Sequence, residues 1–249
     1  MVTSANLGFP RIGAHRELKK ALESYWKGKT TREELLEVAK EMRLRHWDMQ
    51  KKAGIDHIPS NDFSLYDQVL DMTATLGCVP DRYNWDGHEI GLDLYFAMAR
   101  GSQTDGRDVI ACEMTKWFDT NYHYIVPEFK SDQEFKLSSN KIFDEYTEAK
   151  RAGITTRPVI IGPVTYLSLG KRDDNGDTME LLDKILPVYK KIFQKLSDMN
   201  VYCVQLDEPY LTLDLSDTQK KAYTQAYTEI AKIFDGKIML RFPLDQYFL

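Results

Sequence analysis

What most limits the fold of this chain is an alternation: stretches with helical hydrophobic spacing are separated by short runs rich in β-branched residues. Thr31–Glu34 reads as a capping box, with Leu35, Ala39, Met42, His46 and Met49 along one helical face and Gly54 as the stop. A second helix starts within Ser64 to Asp67 and ends near Gly77. A third opens at Ser216 and Gln219, carries Tyr223, Tyr227, Ile230 and Phe234, and stops by Gly236. The expected strands are the segment around Asn6–Phe9, then Asp56–Pro59, Val109–Met114, Pro158–Gly162, Val201–Leu206 and Lys237–Leu240. Strand followed by helix, repeated, is the order of an α/β protein with a parallel sheet. No Gly-x-Gly-x-x-Gly follows the first strand, so nothing specific supports a dinucleotide fold.

Polar residues gather just after the expected strand ends: Arg11, Ser60–Asp62, Thr115–Asn121 and Asp207–Glu208. A (β/α)8 TIM-type barrel carries its sites on those loops, and this is the fold expected. The expected strands fall short of eight by Leu249. The barrel is therefore read as incomplete at its C-terminus, with open edges that favour self-association.

Composition narrows the class. The chain has 249 residues, 43% hydrophobic and 29% charged, as soluble globular proteins do. Its 33 Lys and Arg against 38 Asp and Glu leave a net charge of −5, which argues against nucleic acid or an anionic membrane as partner. No run approaches the ~20 apolar residues of a membrane span, and the N-terminus lacks the regions of a signal peptide. The 3 cysteines, Cys78, Cys112 and Cys203, form no Cys-x-x-Cys and read as reduced thiols, so a cytoplasmic location is expected. The 5 histidines, His15, His46, His57, His88 and His123, show no metal-binding spacing, so no metal is expected on this chain. His46 lies on an apolar helix face and reads as a packed core residue.

Three clusters could carry chemistry. Arg11, His15, Arg16, Lys19 and Lys20 come after the first expected strand and enter a helix. Cations at a helix start oppose the dipole unless an anion is bound, which suits carboxylates or phosphates; a solvated basic face is the plain alternative. Glu113–Tyr124 mixes Glu113, Lys116, Asp119, Asn121 and His123 with aromatics, which suits a flat polar heterocycle or, more simply, an aromatic core strand with a polar turn. Gln205-Leu-Asp-Glu-Pro209 ends a strand in carboxylates. Glu113 with Asp207 or Glu208 could form a glycoside hydrolase pair, or the strand-end carboxylate could cap the next loop.

The same segments resemble one family. Gly8-Phe-Pro-Arg-Ile-Gly13, Arg16-Glu-Leu-Lys19, Ile58–Phe63, Tyr66–Leu70, Glu113–Glu128, Ile161–Val164 and Gln205–Pro209 are similar, in order, to cobalamin-independent methionine synthase. The resemblance implies methyl transfer from 5-methyltetrahydropteroyltri-L-glutamate to homocysteine. It also implies two facing (β/α)8 barrels, with zinc and homocysteine held by the C-terminal one. Residues 1–249 would then be a truncated N-terminal folate-positioning barrel that binds no zinc, lacks the C-terminal barrel and is inactive alone. By motif, Arg16, Glu17, Leu18, Lys19, Lys116 and Asn121 match folate contacts, while His15 falls where some members carry a basic residue. No catalytic residue is assigned. A folate-binding module and the unrelated hydrolase stand as alternatives. The tail Arg241–Leu249 departs from the family pattern.

Overall fold

The computed structural model describes residues 3–103 and 108–242. Along the chain come α1 (Glu17–Trp26), α2 (Arg32–Lys52), β1 (Ile58–Ser60), α3 (Gln68–Leu76), α4 (Leu92–Arg100), β2 (Met114–Lys116), β3 (His123–Ile125) and β4 (Glu128–Phe129). Next are α5 (Lys141–Arg151), β5 (Thr156–Ile161), α6 (Pro163–Leu169), β6 (Lys171–Arg172), α7 (Leu182–Asp198), β7 (Cys203–Asp207), α8 (Asp217–Ala231) and β8 (Lys237–Arg241). Of the tail expected to depart from the family pattern, Arg241 and Phe242 belong to the described residues, and 243–249 lie outside them.

The helix starts are built by the side chains that mark them in the sequence. At α2 the Glu34 N–H donates to the Thr31 hydroxyl at 3.2 Å, and the Thr31 N–H donates to the Glu34 carboxylate at 2.7 Å. Ser216 and Gln219 exchange the same pair of bonds at α8. Asp67, rather than Ser64, caps α3, accepting the Val69 and Leu70 N–H groups at 2.7 and 3.3 Å. One residue of the α2 face is misplaced by the spacing: Met49 is 51% exposed. The buried stripe turns instead through His46 and Trp47 to Gln50, whose amide donates to the His46 carbonyl and accepts from Asn6.

Two units divide the described residues, the first holding 3–65 with Ile142–Val159, the second Tyr66–Lys141 with 160–242. In the first unit β1 runs parallel to β5, with Ile58 opposite Thr156 and Ser60 opposite Pro158. Both strands are buried along their length, as parallel strands covered on both faces are. Trp47, Ile58, Ala149 and Ile154 form a core cluster, and the Trp47 indole N–H donates to the Pro59 carbonyl at 3.0 Å. Buried Arg157 donates to the carbonyls of Asn6 and His57.

The second unit pairs β7 with β8 in parallel, from Cys203 opposite Lys237 to Asp207 opposite Arg241. Helix α7 covers its own core with Ile185, Tyr189, Ile192, Phe193 and Leu196. A short parallel ladder, β4 with β6, has no counterpart among the expected strands.

Two expected strands do not form. Among the described residues near Asn6–Phe9 only Ala5 makes a bridge, to His57. Here side chains take the hydrogen bonds a ladder would use: the Phe9 N–H donates to the Asp62 carboxylate at 2.8 Å, and Pro10 has no N–H to offer. Val109–Met114 likewise makes, among the described residues, only the Ser102–Val109 bridge before β2 begins. The Cys112 N–H is spent on the Met98 carbonyl at 2.8 Å, and the Ile110 carbonyl accepts from the Tyr83 hydroxyl at 2.7 Å. From Met114 onward the chain forms an antiparallel hairpin of β2 and β3. Within the second unit the paired strands are β7-β8, β2-β3 and β4-β6. Among the described residues no closed barrel forms, so the expected (β/α)8 barrel is observed as an α/β fold with a parallel sheet. No helix among these residues is long and apolar enough to cross a membrane.

Candidate functional site

In the first unit the basic cluster folds into a tight loop before α1. Arg16 is the residue before the helix, at φ +59°, and its N–H donates to the Gly13 carbonyl at 3.1 Å. Gly13 itself sits at φ +84°, and an added Cβ there would press on the Met42 methyl at 2.8 Å and the Glu17 carboxyl carbon at 2.9 Å. The space is filled by Glu17, which accepts the His15 N–H and an Arg45 N–H, each at 2.8 Å. Its own and the His15 backbone N–H groups, aided by Arg45, hold the Glu17 carboxyl down to about 2. A carboxylate thus supplies the negative charge that the first turn of a helix favours, which the basic reading of this segment overlooked.

Each candidate of this loop has a distinct setting. Leu18 is fully buried, with no exposed surface. Arg16, Lys19, Lys20 and His15 are exposed. Lys19 meets Glu23 at 3.8 Å one turn on, an exposed pair that holds it weakly. Arg11 is half-buried and donates to the Ser64 carbonyl at 3.0 Å, so part of its guanidinium serves the loop. Lys20, Ser24, Glu34, Glu41 and Arg45 line a groove of about 440 Å³ between α1 and α2.

Lys116 and Asn121 belong to the second unit, on the β2–β3 hairpin, and both are exposed. Lys116 ends β2 opposite His123. The connection is closed by the Trp117 N–H donating to the Tyr122 carbonyl at 2.7 Å and the Thr120 N–H donating to the Trp117 carbonyl at 3.2 Å. The His123 Nδ1 lies 3.0 Å from the Asn121 carbonyl. Trp117 and Tyr124 are buried, so the aromatic part of this segment is core while its polar part is surface.

The carboxylates at the end of β7 are engaged by the fold. Asp207 accepts from Gln205 at 2.8 Å and from Arg241 at 3.0 Å. Glu208 has no exposed surface; it accepts the Thr165 N–H at 2.8 Å and the Tyr227 and Tyr223 hydroxyls at 3.1 and 3.2 Å. Burial pushes its carboxyl up to about 7. Glu113 is exposed and paired with Lys171 at 2.6 Å. A hydrolase needs its two carboxyls open to a sugar, and Glu208 is closed over by tyrosines.

Sequence reasoning passed over a further carboxylate. Asp67 is buried and accepts from Ile125 as well as from the start of α3, and burial pushes it up to about 7. Its neighbour Asp71 accepts the Tyr95 hydroxyl at 2.6 Å and faces Lys141 at 3.3 Å. The signal for Asp67 was its place before an apolar helical run; nothing local marks Asp71. His46 is the core residue expected, packed on Phe9 at 4.6 Å, and burial lowers its imidazole to about 4. The thiols are buried, which pushes Cys78 up to about 12 and Cys112 to about 11. Among the described residues no group of three or more His, Cys, Asp and Glu stands close enough to hold a metal ion.

The family described as cobalamin-independent synthase, N-terminal domain, matches residues 3–248. A 5-methyltetrahydropteroyltriglutamate–homocysteine methyltransferase of Salinibacter ruber is 57% identical over 241 residues, 94% of this chain and 31% of that protein. The protein of the same description in Flavobacterium johnsoniae is 54% identical over 249 residues, 98% of this chain and 31% of its own length. The chain thus spans about 31% of the length of these curated relatives. A solved structure described as a vitamin-B12 independent methionine synthase from Listeria monocytogenes superposes with a TM-score of 0.62 at 17% identity, over 99% of this chain and 68% of that one. That likeness bears on the fold alone. With residues 3–248 matched and more than half the positions shared with its relatives, the chain belongs to the cobalamin-independent synthase N-terminal domain family.

Proposed function

We propose that this chain is the folate-holding part of a methyltransferase that moves a methyl group from 5-methyltetrahydropteroyltri-L-glutamate to homocysteine, giving methionine in the cytoplasm. The observation that carries the reading is the match along residues 3–248. The relatives that share 54–57% of its positions bear that activity in their descriptions. In this reading Arg16 and Lys19 meet carboxylates of the triglutamate tail through charge-assisted hydrogen bonds. Glu17 and Leu18 hold the turn that presents them, the first by its bonds to His15 and Arg45, the second by its burial. Lys116 and Asn121 take a further part of the folate. Zinc would deprotonate the homocysteine thiol, and we assign its ligands to the part of the relatives' length that this chain does not span.

The test is calorimetric titration of the 249-residue chain with methyltetrahydrofolate carrying one glutamate or three. The triglutamate form should bind more tightly, and its advantage should shrink as salt rises, because exposed charges are screened over ~8 Å at 0.15 M. Lys19→Ala should weaken it about tenfold, the worth of one charge-assisted contact. Equal affinity for the two forms at low salt contradicts the assignment.

A further inference from the structure

Resting on the folate reading, we infer that Phe118 is a positioning residue: its ring, seated on Tyr210, holds the β2–β3 connection in the shape that presents Lys116 and Asn121. Phe118 lies at φ +49°, in the left-handed region where a Cβ crowds the backbone and where glycine or asparagine is usual. A bulky residue stays there only when its surroundings hold it. Within the loop, the Trp117 carbonyl accepts both the Thr120 N–H at 3.2 Å and the Thr120 hydroxyl.

The rest of the hold comes from outside the loop. The Phe118 ring meets Tyr210 edge-on at 5.4 Å and 63°, and meets Trp117 at 5.2 Å and 85°. Trp117 in turn leans on Tyr124 at 5.8 Å. Both outer rings are tied to α6: the Tyr210 hydroxyl donates to the Ser168 carbonyl at 2.9 Å, and the Tyr124 hydroxyl to the Leu169 carbonyl at 3.1 Å. Lys116 and Asn121 stand exposed at the two ends of this clamped turn. Their spacing is set by the turn, and a loosened turn must be ordered again whenever a ligand binds.

The test compares wild type, Phe118→Ala, Phe118→Tyr and Lys116→Ala in the 249-residue chain. Amide hydrogen exchange at Trp117 and Thr120 is read alongside affinity for the triglutamate folate. In Phe118→Ala both amides should exchange about tenfold faster and affinity should fall about tenfold, while Phe118→Tyr restores both. Lys116→Ala should weaken binding and leave exchange unchanged, which separates contact from positioning. If Phe118→Ala exchanges faster yet binds like wild type, the loop shape does not govern the site and the inference fails with the folate reading intact. Lost affinity with unchanged exchange also overturns it, because Phe118 would then touch the ligand itself. A wild-type chain that binds no triglutamate folate overturns the folate reading and this inference together.

Discussion

Replacing Gly162 by alanine tests how tightly the end of β5 is built around a buried carboxylate. Gly162 precedes α6 at φ −70°, a conformation open to any residue, so only space opposes the change. An added Cβ would lie 2.6 Å from the Glu208 Cγ and nearer still to the carboxylate. Glu208 has nowhere to go: it is fully buried and bonded to Thr165, Tyr223 and Tyr227. Overpacking of this kind costs ~1–3 kcal/mol, and each buried donor left short costs a further ~1–3 kcal/mol. The loss should be about 4 kcal/mol, or roughly 8–16 °C in melting temperature for a chain of this size. Thermal and urea unfolding read it directly. Glu208→Ala vacates the space that the new methyl would enter, so the double variant should be more stable than the sum of the two losses by more than about 1 kcal/mol. A Gly162→Ala melt within about 2 °C of wild type, or strict additivity with Glu208→Ala, would refute this account of the packing.

The same buried carboxylate makes stability depend on pH. Burial raises the Glu208 carboxyl from 4.5 to about 7, so between those values the folded chain keeps a proton that the unfolded chain releases. Stability therefore falls as pH rises through this window, by about 3 kcal/mol at most from Glu208, and Asp67, also raised to about 7, adds a loss of the same sign. Urea midpoints taken on either side of the window should show Glu208→Gln closing on wild type, or passing it, at the higher pH; parallel curves would sink the assignment. Thr31→Ala removes one half of the α2 capping box and should cost about 1 kcal/mol, whereas Thr31→Ser should cost far less. Equal losses in the two variants would mean that the hydroxyl does not cap.

Legibility tracked the reach of the interactions involved. Both helix starts were readable because each box closes within four residues, every side chain accepting the backbone N–H of the other residue. The cores of β5 and β7 were readable because strands buried on both faces concentrate apolar residues, Val159–Ile161 in one and Val204 and Leu206 in the other. Asn6–Phe9 was not, since the choice between ladder and loop was made by Asp62 and Gln50, far along the chain. The same holds for Val109–Met114, whose backbone is claimed by Tyr83 and the end of α4.

For the candidate site, residue types and order alone determined the basic loop at Arg16–Lys19, the Lys116–Asn121 segment and the paired carboxylates Asp207 and Glu208. Tertiary structure decided what each of them does. It turned Glu17 inward onto Arg45, sank Leu18, and left Arg16 and Lys19 facing solvent. It closed Glu208 under two tyrosines, which sets that carboxyl in the framework rather than in an open cleft. The physical reason is that a side chain's type sets the bonds it can make, while burial and distant partners decide which of those bonds are spent on folding.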